Sequence, residues 1–424
     1  MKVYLENYGC PLNKADGHYM LNLLLSRGHT LVENPEKADV IIINTCTVRK
    51  DTENRMVKRI VRLRKTALKN NAKLIVAGCM PKAQPYLVMR YAPEASMLSP
   101  QNYDKILCVV EKPGKVVLLK GERRTDIVPM FFENAVAAIP IAEGCVGNCS
   151  YCIVKLARGK LRSYPPKLII EKVRGAVEKG AVEIDLTAQD TAAYGLDLGI
   201  RLTDLLKEVV KVNGNFMVRV GMMNPNLAYE ILDDLIEIYK HPKIFKFLHI
   251  PLQSGDNRVL KIMNRRYTIE EFKEIVYEFR RKIPEINVTT DIIVGHPGED
   301  EEAFQNTLNI VKELEFDRIH IAAYSLRPHT ASASMKQIPS YIVKERLRKI
   351  VKLMEEIAFK KLRAYVGKTI NVLVTEKGRN RTVIARTVNY HPVVIFDPSV
   401  KLGSLVKVRI IDNTFYDLRG EKVC

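Results

Sequence analysis

Six strand-like segments alternate with helical ones through the middle of this 424-residue chain. The predicted strands are Ala138–Ala142, Val182–Thr187, Phe216–Gly221, Ile244–Pro251, Val288–Val294 and Arg318–Tyr324. The predicted helices between them are Lys167–Lys179, Leu202–Val212, Ala228–Tyr239, Ile269–Lys282 and Glu301–Leu314. Alternation of this kind produces a parallel sheet, and a full barrel needs eight such units. The pattern therefore predicts an open, partial (β/α)6 barrel with its active site at the carboxyl ends of the strands.

The first 125 residues show a separate run of alternating strands and helices. The predicted strands are Lys2–Gly9, Asp39–Thr45 and Lys73–Gly78, and the predicted helices are Lys14–Ser26 and Lys50–Asn70. This alternation again indicates a parallel sheet with covering helices. We expect an α/β domain over residues 1–125, a linker over residues 120–137 and a central domain over residues 132–362.

The pattern changes after a long helix predicted over Tyr341–Tyr365. Five short strands follow without a helix between them: Thr369–Thr375, Arg381–Thr387, His391–Phe396, Ser404–Ile411 and Thr414–Arg419. Closely spaced short strands indicate a small antiparallel β-barrel of the size of an OB fold. This third domain is predicted over residues 363–424.

Three cysteines directly follow the first predicted strand of the central barrel. Cys145, Cys149 and Cys152 have the spacing CxxxCxxC. Three thiolates this close can hold three corners of a [4Fe–4S] cluster and leave the fourth iron open for a small ligand. A zinc knuckle is the alternative, but it needs a fourth protein ligand and usually has CxxC pairs. The spacing and its place in the barrel favour the cluster.

Three further cysteines each come just after a predicted strand of the first domain. They are Cys10, Cys46 and Cys79. Because the carboxyl ends of parallel strands meet at one edge of a sheet, we expect these cysteines to converge and to form a second cluster site with an open iron. The alternative is three unrelated buried cysteines. Cys108, in an apolar run, is expected in the core, and the terminal Cys424 is expected to have no role.

Positive charge is concentrated at the two ends of the chain. The net charge is +19 and the pI about 9.4. Residues 1–125 hold 22 basic against 11 acidic residues, residues 126–339 hold 27 against 29, and residues 340–424 hold 18 against 8. A generally basic proteome is the alternative explanation, but it would not leave the middle neutral. The distribution favours a nucleic-acid partner. The sequence shows no run of 18 apolar residues and no signal-peptide pattern, so we expect a cytoplasmic protein.

These features together resemble the radical S-adenosylmethionine (SAM) methylthiotransferase family along essentially the whole chain. The markers are NYGCPLN, NTCTV, AGCMP, GCVGNCSYC, RGKLRSYP, PLQSGDNRVLKIMNRRY and TDIIVGHPGE. The resemblance implies a flavodoxin-like N-terminal domain with an auxiliary [4Fe–4S] cluster, a radical SAM barrel with a second [4Fe–4S] cluster, and a C-terminal TRAM domain. It also implies SAM as cofactor, with one molecule serving methylation of a sulfur at the auxiliary cluster. A second molecule yields the radical that activates the base.

The same resemblance provides candidate binding residues. The candidates for contacting SAM are Tyr151, Thr187, Gln189, Asp190, Arg219, Gln253 and Gly295. The alternatives are that Gly295 only serves a turn and that Arg219 only pairs within the protein. Asn7, Asn13 and Asn44 lie near the auxiliary cysteines, where they could shape a substrate pocket or cap turns. No side chain is assigned as a catalytic acid or base, because an unactivated aromatic C–H requires a radical.

Local sequence resembles the archaeal and eukaryotic branch of the family, which acts on threonylcarbamoyladenosine beside the anticodon of tRNA. The segments YGCPLNKAD, ARGKLRSYP, LTAQDTAAYGLDLG and VGMMNPN carry this likeness. AQDTAAYG also resembles the branch that modifies an aspartate of a ribosomal protein, and isopentenyladenosine in tRNA is a further alternative. The basic tail and the basic helix at Arg49–Lys69 favour RNA, and the resemblance implies the anticodon loop of tRNA as the partner. The implied reaction also needs an external electron donor and a sulfur source. A non-catalytic RNA-binding protein with structural zinc is the rival from another class.

Overall fold

The computed structural model describes residues 1–423, so Cys424 lies outside the described part. The chain divides into two compact units. Unit 1 comprises Met1–Phe131, Ala138–Ile169 and Ser325–Ala333, and unit 2 comprises Phe132–Ala137, Ile170–Tyr324 and Ser334–Cys424. None of the helices within residues 1–423 combines the length and the apolarity needed to cross a bilayer.

Unit 1 is built on a six-stranded parallel sheet. Its strands are β1 (Lys2–Asn7), β2 (Thr30–Leu31), β3 (Val40–Thr45), β4 (Lys73–Gly78), β5 (Ser96–Leu98) and β6 (Val117–Leu118). Its first helices are α1 (Pro11–Ser26), α2 (Lys50–Lys69), α3 (Cys79–Ala83), α4 (Pro85–Tyr91) and α5 (Ile106–Glu111). All neighbouring strands are parallel, in the order β2-β1-β3-β4-β5-β6. The first five follow the flavodoxin-like order, as predicted.

Both faces of this sheet are covered, which explains the unbroken apolar run in β3. Ile41 and Ile43 pack in one cluster with Met56 and Ile60 of α2. Val40 and Ile42 pack in the opposite cluster, which also holds residues of α1 and α5. A strand buried on both faces needs apolar residues at every position, so it lacks the alternation of a half-exposed strand.

The expectation that Cys108 lies in the core was wrong. Cys108 is exposed on α5, whereas Ile106, Val109 and Val110 of the same helix are buried. In a helix of 3.6 residues per turn, these three share the inner face and Cys108 points away from it. Because every residue around Cys108 is apolar, the sequence showed no helical periodicity that would indicate which face of α5 is buried.

The next two strands, β7 (Phe131–Glu133) and β8 (Val136–Pro140), cross the division between the units along the chain and belong to the four-stranded sheet of order β12-β11-β8-β7. The remaining elements of unit 1 are β9 (Ala142–Glu143), α6 (Val154–Arg158) and β10 (Arg162–Ser163). β9 and β10 form an antiparallel pair. The strand predicted over Ala138–Ala142 therefore begins earlier and is interrupted at Ile141. The predicted linker over residues 120–137 contains β7 and the start of β8.

Unit 2 contains the strands and helices of the partial barrel. The strands are β11 (Glu183–Thr187), β12 (Met217–Val220), β13 (Phe247–His249), β14 (Asn287–Val294) and β15 (Arg318–Ala323). The helices are α7 (Pro166–Glu178), α8 (Leu202–Val209), α9 (Pro225–Tyr229), α10 (Leu232–Tyr239), α11 (Asn257–Ile262), α12 (Ile269–Lys282) and α13 (Glu301–Leu314). β11 and β12 are parallel, as are β13, β14 and β15, and a parallel bridge between Val218 and Ile244 joins the two groups. The predicted strands are confirmed.

One predicted helix of unit 2 is two helices. The segment predicted as Ala228–Tyr239 divides into α9 and α10, because Ile231 has φ −125° and ψ 25°, outside the helical region. α9 also begins earlier than predicted, with Pro225 in its first turn, where a missing N–H costs no hydrogen bond.

The C-terminal part of unit 2 is a helix followed by a closed barrel. These elements are α14 (Ser340–Arg363), β16 (Thr369–Lys377), β17 (Val383–Arg386), β18 (Pro392–Ile395), β19 (Leu405–Asn413) and β20 (Leu418–Lys422). The barrel order is β16-β17-β18-β20-β19. Four pairings are antiparallel as predicted, and β18–β20 is parallel. An odd number of strands cannot alternate in direction all the way around a closed barrel, so one parallel pairing is required.

Candidate functional site

The three cysteines of the first domain lie at the carboxyl ends of three adjacent strands. Cys10 occupies the N-cap position of α1 shortly after β1, Cys46 directly follows β3, and Cys79 is the first residue of α3, directly after β4. Because β1, β3 and β4 pair side by side in parallel, their three outgoing turns share one edge of the sheet. The predicted convergence of these cysteines is confirmed, and their role as cluster ligands stays a prediction.

The electrostatics of these thiols show how close they are. Burial raises the pKa of Cys79 to about 12, with Arg158 acting in the opposite direction and Cys46 and Cys10 adding to the increase. Burial also raises the pKa of Cys46, and Cys10 contributes to that shift. In this buried site, each thiolate therefore makes deprotonation of the other two thiols less favourable. A bound iron cluster would supply the positive charge that reverses this effect.

One glycine fixes the turn that presents Cys79. Gly78 has φ +101°, a conformation that side chains disfavour. A Cβ at this position would lie 2.4 Å from the backbone oxygen of Thr45. The approach of the two strand ends therefore requires glycine immediately before this cysteine.

The CxxxCxxC segment forms a compact loop before α6. The backbone N–H of Cys145 donates to the Gly159 carbonyl (3.2 Å), and that of Cys152 donates to the Cys149 carbonyl (3.2 Å). A Cβ on Gly147 would lie 3.3 Å from the Cys145 sulfur and 3.9 Å from the Cys149 sulfur. The loop therefore brings these two sulfurs around a glycine that leaves room between them.

This second triad has the same electrostatic character as the first. Burial raises the pKa of Cys152 to about 11, with Cys149 and Cys145 adding to the increase. Thiolate donors that destabilise one another fit a multi-iron cluster, which requires all of them to be deprotonated. Tyr151, the candidate for SAM's adenine, is half-buried directly before Cys152.

A buried network of charges next to the first triad was missed from the sequence. Arg158 Nη1 lies 2.6 Å from Asp16 Oδ2 and 3.2 Å from Glu143 Oε1, and Nη2 donates to Asn13 Oδ1 (2.7 Å). Arg123 approaches the same two acids, with Nη2 2.5 Å from Asp16 Oδ1 and Nε 3.1 Å from Glu143 Oε2. All four charged side chains are buried. Arg158 and Asp16 fall in the markers RGKLRSYP and YGCPLNKAD, which was the available signal.

The candidate substrate residues are bound to the protein's own groups. Asn13 and Asn44 are buried and Asn7 is half-buried. Asn44 Nδ2 donates to Asn7 Oδ1 (2.8 Å) and to the Asn13 carbonyl (2.6 Å), while Tyr103 donates to Asn44 Oδ1 (3.1 Å). Asn7 Nδ2 donates to the Lys14 carbonyl (2.8 Å). These contacts favour the alternative in which the three amides hold turns together.

Three candidate SAM residues of unit 2 follow β11. Thr187 ends the strand, and Gln189 and Asp190 come next, the first half-buried and the second buried. Asp190 Oδ1 accepts from the backbone N–H groups of Ala192 (3.2 Å) and Asn224 (2.9 Å). Burial raises the pKa of Asp190 to about 6, against the lowering effect of those N–H groups. Its carboxyl thus shapes the loops at the strand ends.

Two other candidates lie after β13 and β14. Gln253 has φ +65°, its N–H donates to the Asp291 carbonyl (2.8 Å), and its buried Oε1 has no partner within residues 1–423. Gly295 has φ +81° and donates its N–H to Glu299 Oε1 (3.0 Å). A left-handed glutamine with an unsatisfied amide oxygen is a feature that binding sites often hold in place.

Arg219 is surrounded by partners inside unit 2. Its Nη1 lies 3.7 Å from Asp185 Oδ2, and its guanidinium lies over the rings of Phe247 (5.0 Å) and Tyr390 (5.2 Å). Tyr390 belongs to the C-terminal barrel. These contacts favour the pairing alternative for Arg219 over a contact with SAM.

A polar cluster on β13, β14 and β15 was also missed. His249 Nε2 lies 2.9 Å from Asp291 Oδ2, and one donor atom each of His249, Asp291 and His320 all lie within 4.8 Å of one another. The sequence signal for this cluster is the alternation of side chains along a strand, which places these three residues on one face of adjacent parallel strands.

The exposed side of α2 carries a line of basic residues. The five exposed members are Arg55, Lys58, Arg62, Lys65 and Lys69. Their spacing of three and four residues places them on one face of the helix. The flanking Arg59 and Arg64 instead pair with acids, Glu6 and Glu94. Within residues 1–423, no acid pairs with the five members of this basic line.

Three family models match the chain. "Uncharacterized protein family UPF0004" covers residues 2–99, the Radical SAM superfamily covers residues 139–311, and the TRAM domain covers residues 363–423. Among solved structures, a radical S-adenosylmethionine methyltransferase from Kitasatospora setae matches with a TM-score of 0.58 at 15% identity, covering 78% of this chain and 75% of that one. This likeness supports the fold.

Curated relatives match over nearly the full length. A protein of Methanocaldococcus jannaschii named "Probable threonylcarbamoyladenosine tRNA methylthiotransferase" is 44% identical, covering 100% of this chain and 97% of that protein. The protein of the same name from Pyrococcus horikoshii is 41% identical over 99% of both chains. The human "Threonylcarbamoyladenosine tRNA methylthiotransferase" is 33% identical, covering 100% of this chain and 74% of that protein.

Proposed function

Because the chain belongs to the threonylcarbamoyladenosine tRNA methylthiotransferase family, we propose that it converts N6-threonylcarbamoyladenosine next to the tRNA anticodon to its 2-methylthio derivative. The predicted family, fold class and enzyme class are confirmed. Two cysteine triads within unit 1 carry the proposal. A non-catalytic RNA-binding protein would need neither an open iron nor a SAM site.

The cofactors follow from the family and from these triads. The radical SAM superfamily implies SAM and one [4Fe–4S] cluster, which Cys145, Cys149 and Cys152 would hold. We propose a second cluster on Cys10, Cys46 and Cys79. When bound, the clusters and SAM supply reductive radical chemistry and a site for sulfur. An external electron donor and a sulfur source would complete the reaction.

The protein's own residues have positioning roles. The turns after β1, β3 and β4 hold three thiols at one edge of the sheet, and the buried ion pairs of Arg158 and Arg123 fix the segments beside them. We retain Tyr151, Thr187, Gln189, Gln253 and Gly295 as candidate SAM contacts. Asp190 would act mainly by shaping the loops that it hydrogen-bonds.

Charge supports tRNA over a ribosomal protein as substrate. The basic line on α2 has no acidic partner among the described residues, and residues 368–424 hold ten basic against five acidic residues. Such charge suits phosphates, and an anticodon-loop base can be splayed out of its stack at modest cost. The reaction would take place in the cytoplasm, where tRNA is available.

The proposal is tested by mass spectrometry of tRNA nucleosides from a strain that lacks this gene. The strain should lack 2-methylthio-threonylcarbamoyladenosine, wild-type complementation should restore it, and Cys145→Ala should not. Cys108→Ala is the matched control, because Cys108 is exposed and belongs to neither triad; it should restore the nucleoside fully. If the nucleoside persists in the deletion strain, the substrate assignment is wrong. Isopentenyladenosine and the ribosomal-protein aspartate would then be examined.

A further inference from the structure

The polar cluster of His249, Asp291 and His320 takes one side chain from each of three adjacent parallel strands. Asp291 on β14 pairs directly with His320 on β15, and His249 on β13 pairs with Thr289, two residues before Asp291. Because side chains alternate along a strand, Thr289 and Asp291 lie on the same face of β14. All three members of the cluster therefore project from one face of this part of the barrel.

The three donor atoms are close enough to share one ion. His249 Nε2 lies 2.9 Å from Asp291 Oδ2, and the ring centroids of His249 and His320 are 5.4 Å apart. One donor atom of each member lies within 4.8 Å of the other two. Ligand atoms about 2.1 Å from a zinc ion in a tetrahedral site are roughly 3.4 Å from one another. The pair of His249 and Asp291 already meets that spacing, and rotation about the side-chain torsions of His320 can close the remaining distance.

The donor types select a class of ion. Two imidazoles and a carboxylate suit first-row transition ions such as zinc, whereas magnesium and calcium prefer sites made of oxygen alone. Three protein ligands also leave a coordination position open for water. The side chains of His249 and Asp291 are 13% and 28% exposed, and His320 is half-buried. Solvent therefore reaches the cluster, which gives an ion a path of entry and a water ligand.

An ordinary ion pair explains only part of this arrangement. A structural contact between a histidine and an acid needs one imidazole, but here a second imidazole comes to the same carboxylate. The arginines on neighbouring positions have other contacts. Arg318, two residues before His320, lies 3.9 Å from the ring centroid of Tyr416, and Arg219 lies 5.0 Å from that of Phe247. Neither of these contacts occupies the acid of the cluster.

From these contacts we propose that His249, Asp291 and His320 form a binding site for a divalent transition-metal ion, with zinc as its representative. Each histidine contributes one ring nitrogen and the aspartate contributes one carboxylate oxygen, while water completes the coordination. The site lies within unit 2 and uses none of the six triad cysteines. The inference goes beyond the proposed function, because it depends neither on the identity of the modified nucleoside nor on a cluster at the first triad.

The test is equilibrium dialysis against Zn²⁺ under anaerobic conditions, followed by zinc and iron analysis of protein whose cysteine triads have first been loaded with iron. Loading occupies the thiols that would otherwise compete for zinc. His249→Gln and His320→Gln each remove one imidazole, and His241→Gln is the matched control because His241 lies in unit 2 outside the cluster. Wild type and His241→Gln should bind about one more zinc ion per chain than the two cluster variants, at equal iron content. Loss of one ligand should weaken zinc binding at least about tenfold, since changes outside the first shell already cost that much.

Two results would overturn the inference. One is equal zinc binding by wild type and both cluster variants, and the other is a loss of zinc in His241→Gln as large as in those variants. If His249→Gln fails to fold because its contact with Asp291 is lost, His320→Gln decides alone, since it keeps that contact. A wild-type protein that binds this zinc but leaves threonylcarbamoyladenosine unmodified would support the metal site and contradict the proposed function.

Discussion

At the scale of single residues, Gly78 controls the auxiliary cysteines most directly. Gly78→Ala should reduce iron content by about four atoms per chain, because the new Cβ would collide with the Thr45 carbonyl and displace Cys79. The introduced alanine would also be held at positive φ, which should lower the free energy of unfolding by about 1–3 kcal/mol. Iron analysis and urea denaturation measure the two effects.

A matched control is available for this substitution. Gly175 lies inside α7, and a Cβ there would meet no atom within 4 Å. Gly175→Ala should keep full iron content and stabilise the protein by about 0.5–1 kcal/mol. If Gly78→Ala also retained all its iron, the turn would not be essential for positioning Cys79.

Asp190 makes a pH-dependent contribution to stability. Burial raises its pKa from 3.8 to about 6, so folding disfavours its charged form. The resulting cost is absent well below pH 4, grows as pH rises through the folded-state pKa, and reaches about 3 kcal/mol above it. Asp190→Asn should therefore be more stable than wild type at pH 8, with the difference shrinking toward pH 5.

Denaturation with urea from pH 5 to 8 measures this difference. Asparagine retains an oxygen that can accept from the Ala192 and Asn224 N–H groups, so the loop geometry is preserved. A stability difference that stays constant over this range would show that the carboxyl does not titrate as described.

At the scale of elements, α2 should contribute to tRNA affinity. Changing Lys58, Arg62 and Lys65 to glutamine removes three exposed charges for which residues 1–423 provide no acidic partner. The slope of log affinity against log salt should decrease in magnitude by about 2–3. Fluorescence anisotropy with an anticodon stem-loop at several salt concentrations measures this slope.

The control for the α2 triple variant replaces three lysines whose charge is already neutralised by a paired glutamate. Lys211, Lys240 and Lys349 are exposed, and each pairs with a glutamate three or four residues before it. Their replacement by glutamine removes equal charge and should leave the slope nearly unchanged. Equal loss in both triple variants would indicate a general effect of net charge.

Most elements were predictable because their patterns are local. β3 and β4 showed apolar runs of strand length, and the cysteine positions followed from parallel pairing of the strands that precede them. The break between α9 and α10 depends on the conformation of Ile231, which no periodicity signals. The exposure of Cys108 required knowing which face of α5 meets the sheet.

At the scale of the whole molecule, unit 1 is completed by a distant segment. Arg327 donates to the Thr47 carbonyl (2.7 Å) and pairs with Glu53, and both charged side chains are buried. Arg327→Met should destabilise the protein by about 3 kcal/mol, because within the described residues it leaves Glu53 with only Lys50 as an ionic partner. Urea denaturation measures the loss.

A second substitution distinguishes loss of the ion pair from loss of packing as the cause of the destabilisation. Adding Glu53→Gln to Arg327→Met removes the uncompensated charge and should recover part of the lost stability. Strictly additive losses in the double variant would show that the two side chains are energetically independent.

Ion pairs between residues far apart in the sequence explain what the sequence analysis missed. Arg158 and Asp16 are 142 residues apart, and Arg327 and Glu53 are 274 apart. Even where an arginine falls in a marker segment, as Arg158 does, its local sequence does not indicate which distant acid it will pair with. The cysteines were predictable because ligand spacing and strand ends are visible locally, whereas the ionic network around them emerges only from tertiary packing.

The position of Arg327 in the sequence also determines when unit 1 can finish folding during translation. Unit 1 includes Ser325–Ala333, so a nascent chain cannot complete this unit until that segment has left the ribosome. At about 5–20 residues per second, the synthesis of Ala333 follows that of Cys152 by roughly 9 to 36 seconds. All six cysteines of the triads emerge well before then and remain incompletely enclosed, open to oxidation. Insertion of the proposed clusters into the finished unit would therefore follow synthesis of the barrel, and cells would have to protect these thiols in the interval.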